Sequence, residues 1–406
     1  MLAALAWRNL WRRPQRTALS LASIAIVTGL LVFMLSFQIS VYDTMKEGTL
    51  RIFDGFAELQ PVGYADDPGL DKAIDDPGAL VHEATAIRGV AAAAPRVNTF
   101  AILANGPRSY GAAVIGVDPA SEAKISSIAG AIRVGRYLTA ADTDSAILGD
   151  VLAANLKLGV GGRVTLLGQA RDGSVAADVL TVVGLYHSGV PELDRSILEM
   201  PLARAQDTFA MDGAANTIAV GGPTLAGVDR ALPALRAIAG PSKTAVLNWE
   251  ALEPALNDGI ELKYATSMLL YLTLVAVVAF IILNTLLMSV LERTREFGTL
   301  LAMGMRPGQI GAMIWIELLG LALLGSAIGL AVGGGATLWL QHTGIVIPGI
   351  AKLTAQFGLP ERLYPRLTPL SALIGPGAIL AAILVGGLVP YFRVARLTPA
   401  LAMRAA

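Results

Sequence analysis

The chain has 406 residues, of which 54% are hydrophobic and only 15% charged, with a mean hydropathy of +0.60. Soluble chains average about 25% charged residues, so this composition points to a membrane protein. Lys plus Arg and Asp plus Glu balance at 31 each, which gives no reason to expect a nucleic-acid partner. The absence of cysteine excludes disulfides, thiolate metal sites and cysteine nucleophiles.

Residues 1–16 open the chain. Within them Leu2, Leu5, Ala6, Leu10 and Trp11 share one helical face, with Arg8, Arg12, Arg13 and Arg16 crowding toward the end. This pattern predicts an amphipathic helix lying along the membrane interface. The run 17–40 follows, with no charge between Arg16 and Asp43. It exceeds the roughly 20 apolar residues a span needs and the ~7–15 of a signal-peptide core. It therefore reads as a retained transmembrane helix, with Arg12-Arg13 as its basic flank. Residues up to 54 are expected to prolong it as a stalk, and 255–264 to prolong the second span likewise, so that 255–291 form a second stalk and span.

Residues 55–254 alternate short β-rich pieces with short helical ones, punctuated by glycine and proline. Strands are predicted at 56–61, 98–104, 110–117, 146–148, 163–167, 179–185, 196–200 and 217–220. Helices are predicted at 77–87, 153–158, 202–208 and 225–239. The expectation is an α+β domain of two subdomains, hinged near 130–137.

Further apolar runs at 267–291, 310–340 and 370–391 complete four spans. Arginines flank the first span (Arg8, Arg12, Arg13, Arg16), link the second and third (Arg293, Arg295, Arg306) and follow the fourth (Arg393, Arg396, Arg404). The loop between the third and fourth spans holds only Lys352, Arg362 and Arg366. The positive-inside rule then predicts a four-helix membrane protein with both termini cytoplasmic and a large extracytoplasmic α+β domain.

The linker 292–309 reads as a short amphipathic helix. Phe297, Leu300, Leu301 and Gly304 form an apolar stripe, Glu292, Arg293, Arg295 and Glu296 supply charge, and Gly304 with Pro307 ends it. An exposed apolar stripe in such a linker predicts a docking surface. In the third span Gly325, Gly329 and Gly333 recur every fourth residue, a signal of close helix packing that does not name the partner helix. Glu317 lies in the same span, where a carboxylate costs about 2.5–3.5 kcal/mol unless it faces protein or water. It is either a relay acid or a shallow, hydrogen-bonded one.

Catalytic motifs are missing. The sequence has no G-x-x-x-x-G-K-[ST] phosphate loop and no G-x-S-x-G elbow. His82, His187 and His342 are far apart, without metal-ligand spacing, and no acid is evident to orient His187-Ser188. Asp142 and Asp144 resemble the start of a calcium loop but lack its glycine and closing glutamate. No metal site and no catalytic residue is expected.

The run 284–305, NTLLMSVLERTREFGTLLAMGM, resembles the signature of FtsX-like ABC transporter permeases. One span, a large domain and three further spans is the layout of the MacB and LolC/LolE type. The pieces AILG at 146–149, LKLGVG at 156–161, VVGL at 182–185 and MPLARAQ at 200–206 resemble the MacB-type periplasmic core, and RVARLTPALAMR at 393–404 the closing segment. The segment GLYHSGVPELD at 184–194 is most similar to the lipoprotein-releasing group.

The resemblance implies a non-catalytic permease subunit of the bacterial inner membrane. The hairpin residues Glu292, Arg293, Arg295, Glu296, Phe297, Leu300, Leu301 and Gly304 would couple it to two ABC ATPase subunits, which bind ATP and Mg. This chain itself would hold no cofactor. A second permease chain, the same or a paralogue, would complete the transporter, with membrane lipids and a periplasmic lipoprotein carrier as further partners. Phe33, Met34, Phe37, Tyr271, Leu274 and Val278 on the first two spans are the candidate contacts for an acylated substrate. Peptide or antibiotic export, and an FtsX-like regulation of a cell-wall hydrolase, are the alternatives.

Overall fold

The computed structural model describes residues 6, 8–12, 14–240, 243–346 and 362–395, which fall into two compact units. A membrane unit comprises the described residues up to 43, 259–346 and 362–395, and a head unit residues 44–258. Leu2, Leu5, Arg13, Lys352, Arg396 and Arg404 lie outside the described residues.

Four helices are long and apolar enough to cross a membrane: Pro14–Ile52, Pro254–Glu292, Pro307–Thr343 and Pro369–Phe392. The first runs on to Ile52 and the second begins at Pro254, so the segments expected to prolong the spans are helical. Proline in the first turn starts the third helix, where a missing N–H costs nothing. Thr368 caps the fourth by accepting from the Ser371 N–H. That helix is interrupted at Gly387, between Pro369–Gly386 and Leu388–Ala395. The core of the unit is apolar, drawn from Ile24 and Leu31, from Val275, Val278, Ile282, Leu286 and Val290, and from Ile314, Leu318, Ala322, Ile379 and Ile383.

The head is built on ten strands: β1 Ala57–Pro61, β2 Ala92–Asn105, β3 Arg108–Val117, β4 Ile132–Gly135, β5 Ser145–Gly149, β6 Arg163–Gln169, β7 Val175–Tyr186, β8 Ile197–Pro201, β9 Thr217–Gly221 and β10 Thr244–Asn248. They pair in the order β10-β1-β9-β2-β3-β8-β5-β7-β4, and β6 bridges β2 and β7. Most pairs are antiparallel, whereas β3·β8 and β5·β7 are parallel. Four of the helices predicted here form, at Pro77–Ala86, Asp150–Leu156, Leu202–Thr208 and Leu225–Ala239. The hinge expected near 130–137 is instead strand β4, paired with β7 at one end of a continuous sheet.

One region of the head core is polar. Arg96 on β2 is 1% exposed and fully enclosed. Its Nε and Nη2 donate to Glu122 at 3.0 and 2.6 Å, and Nη2 also to the Phe53 carbonyl at 2.6 Å. Its guanidinium lies over the Phe53 ring. Bidentate geometry offsets the cost of taking both charges out of water. Around this pair sit three further acids. Glu199 is buried and accepts from the Tyr137 hydroxyl at 3.1 Å. Burial, with repulsion from Glu122 and an opposing pull from Arg96, raises its pKa. Burial raises Glu58 to about 7 against the pull of Arg96. Burial and the neighbouring Glu253 raise Asp54.

Two outcomes follow from this cluster. Removing the guanidinium by Arg96→Ala strands Glu122 and should cost ~3–5 kcal/mol, measured as a fall in the denaturation midpoint of the purified protein. The acids also set a pH dependence. Their folded pKa values lie above the unfolded 3.8 and 4.5, so the folded state holds protons that the unfolded state has released. Their contribution is therefore complete at low pH and is lost as pH rises through about 7 for Glu58. The head's melting temperature should fall between pH ~5 and ~8, and Glu58→Gln with Glu199→Gln should flatten that slope.

Candidate functional site

The glycines of the third span meet the first span. A Cβ added at Gly325 would lie 2.7 Å from the Ile24 side chain, and one at Gly329 2.5 Å from the Ala25 carbonyl and 2.6 Å from Thr28. One at Gly333 would collide with the Gly29 backbone, and Gly29 faces Gly329 in return. The sequence left the partner of this glycine face open. The partner is the first span of the same chain, and Gly29 supplies the matching absence of a side chain.

The hairpin helix is Thr294–Ala302, closed by Gly304 at φ +95. The apolar stripe within it does not face outward. Phe297 is 1% and Leu301 8% exposed, both in one apolar cluster with Ala6, Leu10, Ile310 and Met313, and Leu300 packs half-buried against it. The stripe is an anchor, which corrects the expectation of an exposed docking stripe. The outward face carries Arg295, Glu296, Thr299, Ala302 and Met303, and Gly304 is exposed at its end. Of the opening segment, Ala6 and Leu10 are buried, whereas Trp11 is 55% exposed and does not share their face.

Ion pairs fasten this helix further. Arg16 donates to Glu292 at 3.1 Å, and Arg12 to Glu296 at 3.5 Å. Arg293 reaches both Glu296 at 3.3 Å and Glu317 at 3.5 Å, and lies over the Phe297 ring. The Arg293 and Glu317 side chains are each only 13% exposed. Glu317 is therefore a paired acid at the hairpin, beside a pocket lined by Asn9, Thr17, Ser20 and Ser289. Exposed ion pairs contribute ~0–1 kcal/mol each. Here they join three segments, and the enclosed Arg293–Glu317 contact is screened least. One signal in the sequence could have revealed the pairing: Arg12 and Arg16 are four apart, as are Glu292 and Glu296, a matched spacing of opposite charges, although Glu292 closes one helix and Glu296 lies in the next.

Another polar cluster joins the first two spans. Gln38, 9% exposed, donates to Ser267 at 2.8 Å and to Tyr42 at 3.1 Å, and accepts from the Tyr271 hydroxyl at 2.8 Å. Of the six candidate substrate contacts, Val278 is buried in the core, and Tyr271 and Leu274 pack half-buried against it. Phe33 and Phe37 stack at 6.1 Å, and Met34 is 39% exposed.

In the head, the acids that the sequence did not reveal beside His187 are Asp150 and Asp194, whose carboxylates lie 3.0 and 3.2 Å from its Nδ1. Ser188 donates to Asp194 rather than to His187, so no nucleophile–base pair exists there. Asp142 is held by Arg136, Thr139 and Ser145, which lower its pKa, and so belongs to a structural turn.

Comparison with known proteins matches these parts in order. Residues 17–238 match the MacB-like periplasmic core domain, and 268–399 the FtsX-like permease C-terminal model. The lipoprotein-releasing system transmembrane protein LolC of Neisseria meningitidis serogroup B is 25% identical, over 96% of this chain and 94% of its own length. The macrolide export ATP-binding/permease protein MacB 1 of Yersinia pestis bv. Antiqua is 35% identical over 27% of this chain and 20% of its own length. Among solved structures, the periplasmic region of MacB from Actinobacillus actinomycetemcomitans is 13% identical, covering 51% of this chain and 94% of that one with a TM-score of 0.37. An extramembrane α+β domain inserted after the first of four apolar spans defines a permease-type membrane protein. The chain belongs to the FtsX-like, MacB-type ABC transporter permeases.

The glycine contact predicts opposite signs for two matched substitutions. Gly329→Ala should destabilise the detergent-purified protein by ~1–3 kcal/mol through overpacking. Gly335→Ala, where an added carbon meets nothing within 4 Å, should be neutral or gain up to ~1 kcal/mol of helix propensity. Thermal denaturation of the two variants side by side measures both.

Proposed function

We propose that this chain is the permease subunit of a mechanotransmission-type ABC transporter in a bacterial inner membrane. Both termini face the cytoplasm and the head faces the periplasm. Two copies of a separate ATPase, which hold ATP and Mg, drive two permease chains, a homodimer or a pair with a paralogue. Movement of the head then extracts or releases lipoproteins or other amphiphilic envelope substrates, with a periplasmic carrier as acceptor.

The observation that carries this reading is the way the hairpin helix is held. Phe297 and Leu301 sink it into the bundle, and ion pairs tie it to the opening segment and the third span. A helix fixed on that side can take a push on its other side without deforming, which coupling to an ATPase requires. In this reading Arg295, Thr299 and Met303 make the contact and Phe297 and Leu301 transmit it. The arginine flanks support the orientation, and similarity to LolC along nearly the whole chain supports the cargo. Phe33, Met34 and Phe37 are the preferred contacts for an acyl chain, and Val278 acts in packing.

Two measurements test this. Replacing Arg295 with glutamate and Met303 with aspartate should weaken co-purification with the ATPase by ~10-fold or more while leaving the melting temperature unchanged; undiminished assembly would remove the docking role. In reconstituted complexes, an acylated lipoprotein should stimulate ATP hydrolysis and its non-acylated form should not. Equal responses would exclude lipoproteins and favour peptide or antibiotic export.

A further inference from the structure

In the head, strand β5 ends at Gly149, and Asp150 follows it directly. A Cβ at Gly149 would lie 2.6 Å from the Asp194 Cα and closer still to the Asp194 carbonyl, so only glycine lets these two segments touch. After β7, Gly189 turns the chain through a positive φ of 87, which returns the helix Pro191–Ser196, and Asp194 with it, to His187. Two segments distant in sequence, the end of β5 and the turn 187–194, thus bring two carboxylates and one imidazole together, with a ligand atom from each within 4.8 Å of the others.

The arrangement is not satisfied by its own hydrogen bonds. Asp194 is 1% exposed. Its Oδ1 accepts from the Ser188 N–H at 2.8 Å and the Ser188 hydroxyl at 2.7 Å, which fixes the carboxylate and leaves Oδ2 turned to the imidazole. Asp194 Oδ2, Asp150 Oδ1 and His187 Nδ1 are all buried atoms without a hydrogen-bond partner. Nδ1 lies 3.0 Å from Asp150 Oδ2 and 3.2 Å from Asp194 Oδ2, yet neither approach has hydrogen-bond geometry. Ligand atoms each ~2.0–2.2 Å from one zinc ion, at angles of ~95–110°, lie ~3.0–3.5 Å apart. Both carboxylate–imidazole distances fall in this range, and all three ligand atoms lie within 4.8 Å of one another.

We propose that Asp150, His187 and Asp194 bind one divalent transition-metal ion, with Zn²⁺ the best match to one imidazole and two carboxylates. Ser188 orients Asp194 as an outer partner. Asp150 and His187 are about 40% exposed, which gives the ion an entry path and room for water as a further ligand. Bound there, the ion clamps the turn 187–194 onto the end of β5. It neutralises two carboxylates that, among the described residues, form ion pairs with His187 and with no arginine or lysine.

The experiment uses the full chain purified in detergent, stripped with EDTA and titrated with Zn²⁺ against a chromophoric chelator. One equivalent should bind and raise the melting temperature, and Co²⁺ in its place should give visible absorption bands. His187→Ala should weaken binding by more than ~10-fold, whereas His82→Ala should leave it unchanged. The chain has only three histidines, which makes the comparison direct. Since Asp194→Asn can disturb the turn, the more exposed Asp150→Asn serves as the second variant and should also weaken binding. Failure to bind one equivalent, or binding by His187→Ala equal to that of the unaltered chain, would overturn the proposal. A destabilisation by His187→Ala confined to acid pH, without metal binding, would show the imidazole to be a protonated bridge instead.

Discussion

Everything in the membrane unit depends on the approach of the first and third spans at Gly29, Gly329 and Gly333. Water-driven burial is absent between helices in lipid, so close van der Waals contact must hold them together. The missing side chains allow backbone to meet backbone, and Ile24 and Thr28 pack against Gly325 and Gly329. This contact sets the register of the two helices. With that register fixed, Arg12 and Arg16 lie opposite Glu296 and Glu292, and Glu317 opposite Arg293. The glycines do no chemistry, but they bring together the two spans that carry Arg16 and Glu317.

The head uses the opposite solution. Its sheet crosses a core that is apolar around Val97, Val114, Leu148 and Leu198 and ionic around Arg96. One guanidinium is surrounded by more carboxyls than it can neutralise. The pKa values of Glu58, Glu199 and Asp54 are raised, each mainly by burial, so these acids take up protons more readily than free carboxyls. Breaking such a cluster is costly, whereas an apolar replacement of the whole need not be. Arg96 therefore secures the joining of β2, the segment at Glu122 and the Phe53 carbonyl more than it adds net stability.

The sequence carried the architecture well, for physical reasons that are local. Span length and glycine spacing are properties of contiguous residues, and strands such as 163–167 and helices such as 225–239 carry their own periodicity. What it could not show were meetings between distant segments. Asp150 and Asp194 are 44 residues apart in sequence, and only the parallel pairing of β5 with β7 brings the Asp150 segment alongside the one that leads to His187. The hairpin stripe misled for a related reason. Amphipathic spacing shows that Phe297, Leu300 and Leu301 share a face, but not whether that face meets a partner or the chain's own helices. Strand β4 is too short, at four residues ending in glycine, to show a period of its own, so the sequence suggested a hinge there.

The contacts of the second span vary along its length in a way that bears on motion. Near one end Ser267 and Tyr271 make directional bonds to Gln38, and near the other Glu292 and Arg293 are held by Arg16 and Glu317. Between them Val275, Val278, Ile282, Leu286 and Val290 present an apolar ridge at helical spacing. Apolar contacts are non-directional and tolerate a small slide, whereas the hydrogen bonds and ion pairs at the ends do not. The second span is thus held by directional contacts near its two ends and by apolar packing between them.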